Sequence, residues 1–283
     1  MHTTHTIALP NRPPLILGQR ALVMGILNVT PDSFSDGGQH NLIENAVAHA
    51  QAMIADGADI IDIGGESTRP GAALVSVQEE LDRVMPVIDA LVAAGITTPI
   101  SIDSYKPLVA DQAIQAGASI INDVHGLQGA PEMAEIAALH SVPVIAMHWD
   151  KVRDEAKPII AEMARYFETT LALAKAVGVG RERIILDPGF GFGKSLAENY
   201  EVLRELTEVQ PRGMPILVGT SRKSMIGRLL DIPADERLAG TIATTVAGYL
   251  KGGHIFRVHD VRANRDALRV AQATLYGPPT ELG

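Results

Sequence analysis

The feature that most constrains this chain is a phrase recurring along it, in which a helical stretch ends at glycine and a β-branched run follows. It reads Asp56-Gly57-Ala58-Asp59-Ile60-Ile61-Asp62-Ile63, then Ala116-Gly117-Ala118-Ser119-Ile120-Ile121-Asn122-Asp123, then Gly252-Gly253-His254-Ile255-Phe256-Arg257-Val258. Glycine adopts the left-handed conformation that stops a helix. Short apolar runs alternating with helical stretches are βα units, which group around a parallel sheet.

Such runs predict eight strands, near Val23–Val29, Ile60–Ile63, Ile100–Ile102, Ile120–Asn122, Val144–Met147, Ile184–Leu186, Ile216–Val218 and Ile255–Val258. Helices are expected between them, among them Leu42–Asp56, Ser76–Ala94, Pro158–Val177 and Arg237–Leu250. An open doubly wound sheet would also use βα units. Eight evenly spaced units in 283 residues favour closure into an α/β fold of the (β/α)8 TIM-barrel type, as a single domain. The expected division is an N-terminal segment 1–20, a barrel 21–275 and a tail 276–283. A composition 46% hydrophobic but only 4% aromatic suits strands buried on both faces under alanine-rich helices.

The charge narrows the partners. Thirty-three acidic against 24 basic side chains give a net charge of −9, with no basic run, which argues against nucleic acid or an anionic membrane. A small anionic ligand is still compatible, because a few Arg and Lys can converge on one pocket. There is no cysteine, so disulfides and thiolate metal sites are excluded. The start lacks a signal-peptide pattern, and no apolar run approaches the ~20 residues that span a bilayer. A cytoplasmic protein is expected.

Polar residues gather where the strands end. Strand one runs into Asn28-Val-Thr-Pro-Asp32-Ser-Phe34-Ser-Asp36-Gly-Gly, and strand two into Gly64-Gly65-Glu66-Ser67-Thr68-Arg69-Pro70-Gly71. Later ends carry Asp103, Asn122-Asp123, Met147-His148, Asp187-Pro188-Gly189, Gly219-Thr220-Ser221-Arg222-Lys223-Ser224 and Arg257-Val-His259-Asp260. In a barrel these ends meet at one mouth, where active sites of the fold are built. A lone polar residue after a strand also serves as a helix cap or turn former, the role expected of Ser104, Ser195 and Asp260. Eight polar ends together are harder to explain structurally, because unpaired burial is costly.

Two sharper motifs fail. Gly193-Lys194-Ser195 resembles the end of a phosphate-binding P-loop, but position 188 is Pro where that loop needs Gly. Gly189-Phe-Gly191-Phe-Gly193 lacks the G-x-G-x-x-G spacing; it reads as a loop presenting Phe190 or Phe192 to a flat ligand, or as turn glycines with both rings packed inward. His2, His5, His40, His49 and His140 show no metal-ligand spacing and are expected at the surface or in packing.

Met24-Gly-Ile-Leu-Asn28-Val-Thr-Pro-Asp-Ser-Phe-Ser-Asp36-Gly-Gly38 resembles the first signature of the dihydropteroate synthases, and Asp62-Ile-Gly-Gly-Glu66-Ser-Thr68-Arg69-Pro70-Gly71 the second. The likeness continues through Ser101-Ile-Asp103, Asn122-Asp123, Asp187-Pro-Gly-Phe-Gly-Phe192-Gly-Lys, Ser221-Arg222-Lys223-Ser224 and Arg257-Val-His259-Asp260, in family order over residues 23 to 261. It departs at Ser104, at Trp149 after His148, and at Glu198 before Asn199.

The resemblance implies displacement of diphosphate from a dihydropterin diphosphate by 4-aminobenzoate. It implies pterin binding by Asp103, Asn122, Met147, Asp187, Phe192, Gly219 and Lys223. Asn28, Arg257 and His259 would bind diphosphate, with Asn28 also a ligand to Mg²⁺. Thr68, Arg69, Pro70, Ser221 and Ser224 would bind aminobenzoate, and sulfonamides as its mimics. Asp36, Lys223, Arg257 and His259 would be catalytic; Asp36 serves equally as a turn former before two glycines. A homodimer is implied. A methyltetrahydrofolate-dependent methyltransferase domain would share the pterin Asp and Asn but need neither long loop nor Arg257-x-His259. A catalytically inactive pterin-binding scaffold would not need every polar position filled.

Overall fold

Backbone hydrogen bonds close the alternation into a ring. The computed structural model describes residues 2–30, 39–67, 73–209 and 213–278. Two strands, β1 (His5–Leu9) and β2 (Arg12–Leu17), precede the barrel. Its strands are β3 (Leu22–Asn28), β4 (Ile60–Gly64), β5 (Ile100–Asp103), β6 (Ile120–Asp123), β7 (Val144–Met147), β8 (Ile184–Asp187), β9 (Leu217–Val218) and β10 (Ile255–Val258). All are parallel, in the order β8-β7-β6-β5-β4-β3-β10-β9. A parallel bridge between Leu186 and Ile216 joins the two ends of the sheet. Around it run α1 (Gln39–Ala55), α2 (Val77–Ala93), α3 (Pro107–Ala116), α4 (Glu132–Leu139), α5 (Ile159–Ala176), α6 (Leu196–Arg204), α7 (Ser224–Leu230), α8 (Leu238–Leu250) and α9 (Val261–Tyr276).

The eight strands fall where the apolar runs predict, and so do the four expected helices. Gly57 and Gly117, expected to stop helices, have φ of +100° and +125°. Ser76 accepts a hydrogen bond from the Glu79 N–H at the start of α2. Ser195 and Glu198 form a reciprocal capping box at α6, as expected of Ser195. The other two expected caps do different work. Asp260 makes no side-chain cap and pairs with Arg222 (2.7 Å), while Ser104 accepts from the Lys106 N–H in the turn before α3. Among the described residues no helix is long and apolar enough to cross a membrane.

The strands' outer faces pack against the helices through residues such as Ile61, Ile63, Ile102, Val144 and Leu186. Their inner faces form a separate cluster of Leu22, Met24, Ile60, Ile120, Ile145, Ile185, Leu217 and Ile255. Four residues from outside the barrel complete it: Ile7 and Leu9 of β1, Leu15 and Leu17 of β2. The segment 1–20 is therefore more than a terminus, since an antiparallel hairpin closes the floor of the barrel. Its alternation of buried and exposed residues is the pattern of strands with one covered face.

Successive residues of a strand point to opposite faces, so the residue two beyond each floor residue faces inward one layer higher. Two beyond Ile60, Ile120, Ile145, Ile185 and Ile255 stand Asp62, Asn122, Met147, Asp187 and Arg257. The apolar floor thus sets which polar side chains look into the mouth.

Candidate active site

Directly above the floor, charged groups are bonded to one another. Arg257 donates through Nε to Asp62 Oδ2 and through Nη2 to Asp103 Oδ2, both at 2.6 Å. Asn122 Nδ2 donates to the two Asp62 oxygens at 3.3 and 3.1 Å. Asp62, Asn122 and Asp187 are buried. Asp187 Oδ1 accepts from the Gly189 N–H (2.8 Å), which ties its carboxylate to the loop after β8.

Burial pushes the Asp103 carboxyl up to about 7, against the lowering pull of Arg257 and with the Asp62 charge adding to the rise. Asp187 is raised by burial, with the Gly189 N–H and the Lys223 and Arg257 charges opposing. For Arg257 burial works against the cation, yet Asp62 and Asp103 outweigh it and hold it more firmly protonated than a free guanidinium. Three carboxylates, Asp62, Asp103 and Asp187, face two cations, Arg257 and Lys223. Arg257 pairs with only two of these carboxyl groups, so Asp187 keeps acceptor capacity for a ligand rich in N–H donors.

Aromatic groups line the side formed by the ends of β7 and β8. Phe190 is buried in the core, whereas Phe192 faces the mouth, its ring 5.1 Å from that of Trp149, so the loop uses one ring for each alternative. The Lys223 ammonium lies 4.2 Å over the Phe192 ring, within cation–π range. A Cβ at Gly191 would sit 3.3 Å from the Lys223 stem, and one at Gly219 4.0 Å from Asp187 Oδ2, so both glycines leave space at this wall. Trp149 also lies 5.5 Å from the His125 ring and carries Lys151 4.1 Å above it, so this departure from the family pattern extends the aromatic rim. The Glu198 departure is structural, since its carboxylate serves the α6 capping box and pairs with Arg153 at 2.8 Å.

At the ends of β9 and β10, Ser221 Oγ meets His259 Nδ1 at 3.0 Å and accepts from the His259 N–H at 3.2 Å. Ser224 opens α7 and is exposed, and Asn28 ends β3 half-buried at the mouth. Asp36, Thr68, Arg69 and Pro70 lie outside the described residues, so most of the expected aminobenzoate set has no described geometry. Just after β4, Glu66 pairs with Lys106 and accepts from the Tyr105 hydroxyl at 3.2 Å.

The structure therefore brings together Asp103, Asn122, Met147, Asp187, Phe192, Gly219, Lys223 and Arg257. It adds Asp62, which the sequence reading left among strand residues although its place two beyond Ile60 aims it inward. Among the described residues no group of three or more His, Asp or Glu could hold a metal. His2 stacks on Tyr249 (4.4 Å between centroids) and His140 meets Asp111 (2.6 Å), the packing roles expected for them. The His40 side chain lies outside the description.

A family model described as pterin binding enzyme matches residues 24–259. A dihydropteroate synthase of Escherichia coli (strain K12) is 51% identical over 259 residues, covering 89% of this chain and 91% of that protein. Among solved structures, the Xanthomonas albilineans dihydropteroate synthase with 4-aminobenzoic acid superposes with a TM-score of 0.90 at 44% identity, covering 98% of this chain and all of that one. The Yersinia pestis enzyme with a sulfonamide drug gives a TM-score of 0.85 at 44% identity, over 95% of this chain and 99% of that one.

Proposed function

The chain belongs to the pterin-binding enzyme family, among the dihydropteroate synthases, and we propose on that premise how its barrel mouth works. The reaction displaces diphosphate from 6-hydroxymethyl-7,8-dihydropterin diphosphate with the amine of 4-aminobenzoate, giving 7,8-dihydropteroate for folate biosynthesis. The observation that carries the assignment of residues is a buried carboxyl, Asp187, that Arg257 does not pair with, in a layer floored by apolar side chains. A pterin is flat, and one edge presents a ring N–H beside an amino group.

Asp187 takes that edge, each oxygen accepting one hydrogen bond. Asn122 and Asp103 bond other ring nitrogens, and Lys223 reaches the ring carbonyl. Met147 and Phe192 cover the ring faces, and Gly219 leaves the ring room beside Asp187. Asp62 acts one step back, by fixing the Arg257 guanidinium and the Asn122 amide.

The diphosphate lies toward His259 and the outer side of Arg257, whose Nη1 is the nitrogen not engaged by Asp62 or Asp103. Asn28 offers a hard oxygen beside it. Mg²⁺ accepts few protein ligands and completes its shell with phosphate oxygens and water, so this donor set fits a metal held largely by the substrate. Bound there, Mg²⁺ would neutralise charge on the leaving group. Loss of diphosphate before amine attack is favoured because the electron-rich dihydropterin stabilises the resulting cation, and Asp36 supplies negative charge near it. Aminobenzoate, or a sulfonamide, sits among Thr68, Arg69, Pro70, Ser221, Ser224 and Lys223. Exposed Leu229, Leu230, Leu238, Leu250 and Leu275 on α7–α9 support a homodimer through these helices, and the lack of cysteine fits the cytoplasm.

The decisive assay mixes the protein with Mg²⁺, dihydropterin diphosphate and 4-aminobenzoate and follows dihydropteroate. No product above background refutes the reading. Asp187→Asn is expected to abolish pterin binding and Asp36→Asn to slow turnover with pterin affinity kept. Equal loss of pterin affinity in both refutes the role given to the first loop.

A further inference from the structure

We propose that Lys194 is a positioning residue for the pterin site, holding the loop after β8 from beneath so that Phe192 stands against Lys223 and Trp149. This rests on the pterin reading of the mouth. The Lys194 ammonium has three protons and lies within hydrogen-bond reach of four acceptors. These are the Gly189 carbonyl (2.9 Å), His148 Nδ1 (3.0 Å), the Phe192 carbonyl (3.1 Å) and the His148 carbonyl (3.4 Å). The acceptors belong to the ends of two neighbouring strands, β7 and β8. One cation thus ties the backbone on both sides of Phe192 to the residue that follows Met147.

Among the described residues no carboxylate forms an ion pair with Lys194. Its charge is balanced by carbonyl dipoles and, at longer range, by Asp187 and Glu198. A cation without a direct partner is a costly way to staple a loop. An aliphatic residue would fill the space but leave the Gly189 and Phe192 carbonyls without this donor. Burial lowers the Lys194 ammonium to about 7, and nearby Arg153 and Lys223 add to the lowering while Asp187 opposes it. His148 is held neutral, pushed down to about 2 by burial and by the Lys194 charge, so its Nδ1 can accept from the ammonium. On the outer side the loop is held separately, by the Asn199 Oδ1 that accepts the Gly191 N–H at 2.7 Å. The lysine therefore governs the inner edge, which carries Phe192.

The test is a double-mutant cycle with a spectroscopic readout. Trp149 is the sole tryptophan and lies against Phe192, so its emission reports the Phe192 ring. Lys194→Met is expected to raise KM for the pterin diphosphate about tenfold, the scale of one lost charge-assisted contact. KM for 4-aminobenzoate at saturating pterin stays within about twofold, and the change in Trp149 emission on adding pterin diphosphate is lost. Because Lys194 acts through Phe192, adding Lys194→Met to Phe192→Ala raises the pterin KM by less than about twofold further. Effects that multiply in the double variant overturn the proposal, and so does an unchanged pterin KM with the emission response intact. Should Lys194→Met fail to fold, Lys194→Gln, which keeps two N–H donors, runs the same cycle. If Phe192→Ala alone leaves the pterin KM unchanged, the pterin reading of this wall fails instead.

Discussion

Replacing Arg257 by methionine should destabilise the fold by an amount that depends on pH in a defined direction. The guanidinium makes two charge-assisted hydrogen bonds at 2.6 Å, one each to Asp62 and Asp103. Such bonds contribute about 1.5–3 kcal/mol each, and removing one partner of a buried ion pair costs about 3–5 kcal/mol. A loss of about 4 kcal/mol near pH 8 follows. Even with Arg257 present, burial lifts Asp103 to about 7, far above its value in the unfolded chain. A raised carboxyl is favoured by folding in its protonated form, so the stability it contributes is present below the unfolded carboxyl's range and is lost as pH rises to about 7. Arg257 is the cation that most lowers Asp103, so the variant's Asp103 titrates higher still.

Between pH 7 and that higher value the folded variant holds a proton that the folded wild type has released. Over that window the two stabilities therefore converge as pH falls, by about 1.4 kcal/mol per pH unit. Below pH 7 both proteins hold the proton and the remaining gap no longer changes through this group. Urea unfolding at pH 6, 7, 8 and 9 measures this directly. A gap that stays constant from pH 7 to 9, or widens as pH falls, refutes the electrostatic account; a loss under about 1 kcal/mol refutes the buried pair as a structural element.

Other perturbations separate the two ends of the barrel. Gly189 has φ of +67°, and a Cβ there would lie 2.2 Å from the His148 carbonyl oxygen. Gly189→Ala should cost about 1–3 kcal/mol of strain and raise the pterin KM, checked by steady-state kinetics and thermal unfolding. Leu17 is fully buried in the floor, so Leu17→Ala should cost about 2–5 kcal/mol in urea unfolding while both KM values at 25 °C stay unchanged. His254 Nδ1 accepts the Ile216 N–H and its Nε2 meets the Thr3 carbonyl, both at 3.3 Å, and burial beside His5 and His2 lowers it to about 4. A lowered base is protonated first in the unfolded chain, so stability present above pH 6.5 is lost as pH falls toward 4, by up to about 3 kcal/mol. In His254→Gln that part of the acid profile should flatten.

The barrel was legible because strands covered on both faces read as unbroken β-branched runs, and because the glycines before them punctuate the helices. The floor hairpin stands outside the βα alternation and so reads as a terminus, although Ile7 and Leu9, then Leu15 and Leu17, alternate at a period of two. Asp103, Asn122 and Asp187 were legible as strand-end polar groups, whereas Asp62 sits inside an apolar run. Its partner Arg257 lies 195 residues away, a separation that no local pattern reports. Lys194 carries no local signal beyond a P-loop likeness that Pro188 excludes, and its four acceptors come from two strand ends that meet only once the barrel closes.

Asp62 also shows why floor and clamp cannot vary independently. Its inward aim is inherited from Ile60, as that of Asn122 is from Ile120 and that of Asp187 from Ile185, because a strand's side chains repeat every two residues. Inserting one residue between Ile60 and Asp62 would keep the strand apolar but turn the carboxylate toward the helices. Arg257 would then face Asp103 and Asp187 without one of its two partners, and Asn122 would lose both its acceptors. Arg257, freed from Asp62, would then compete with the ligand for Asp187. An edge of N–H donors would meet a layer whose acceptors are already engaged. The register of the apolar floor is thus a determinant of ligand class as well as of stability.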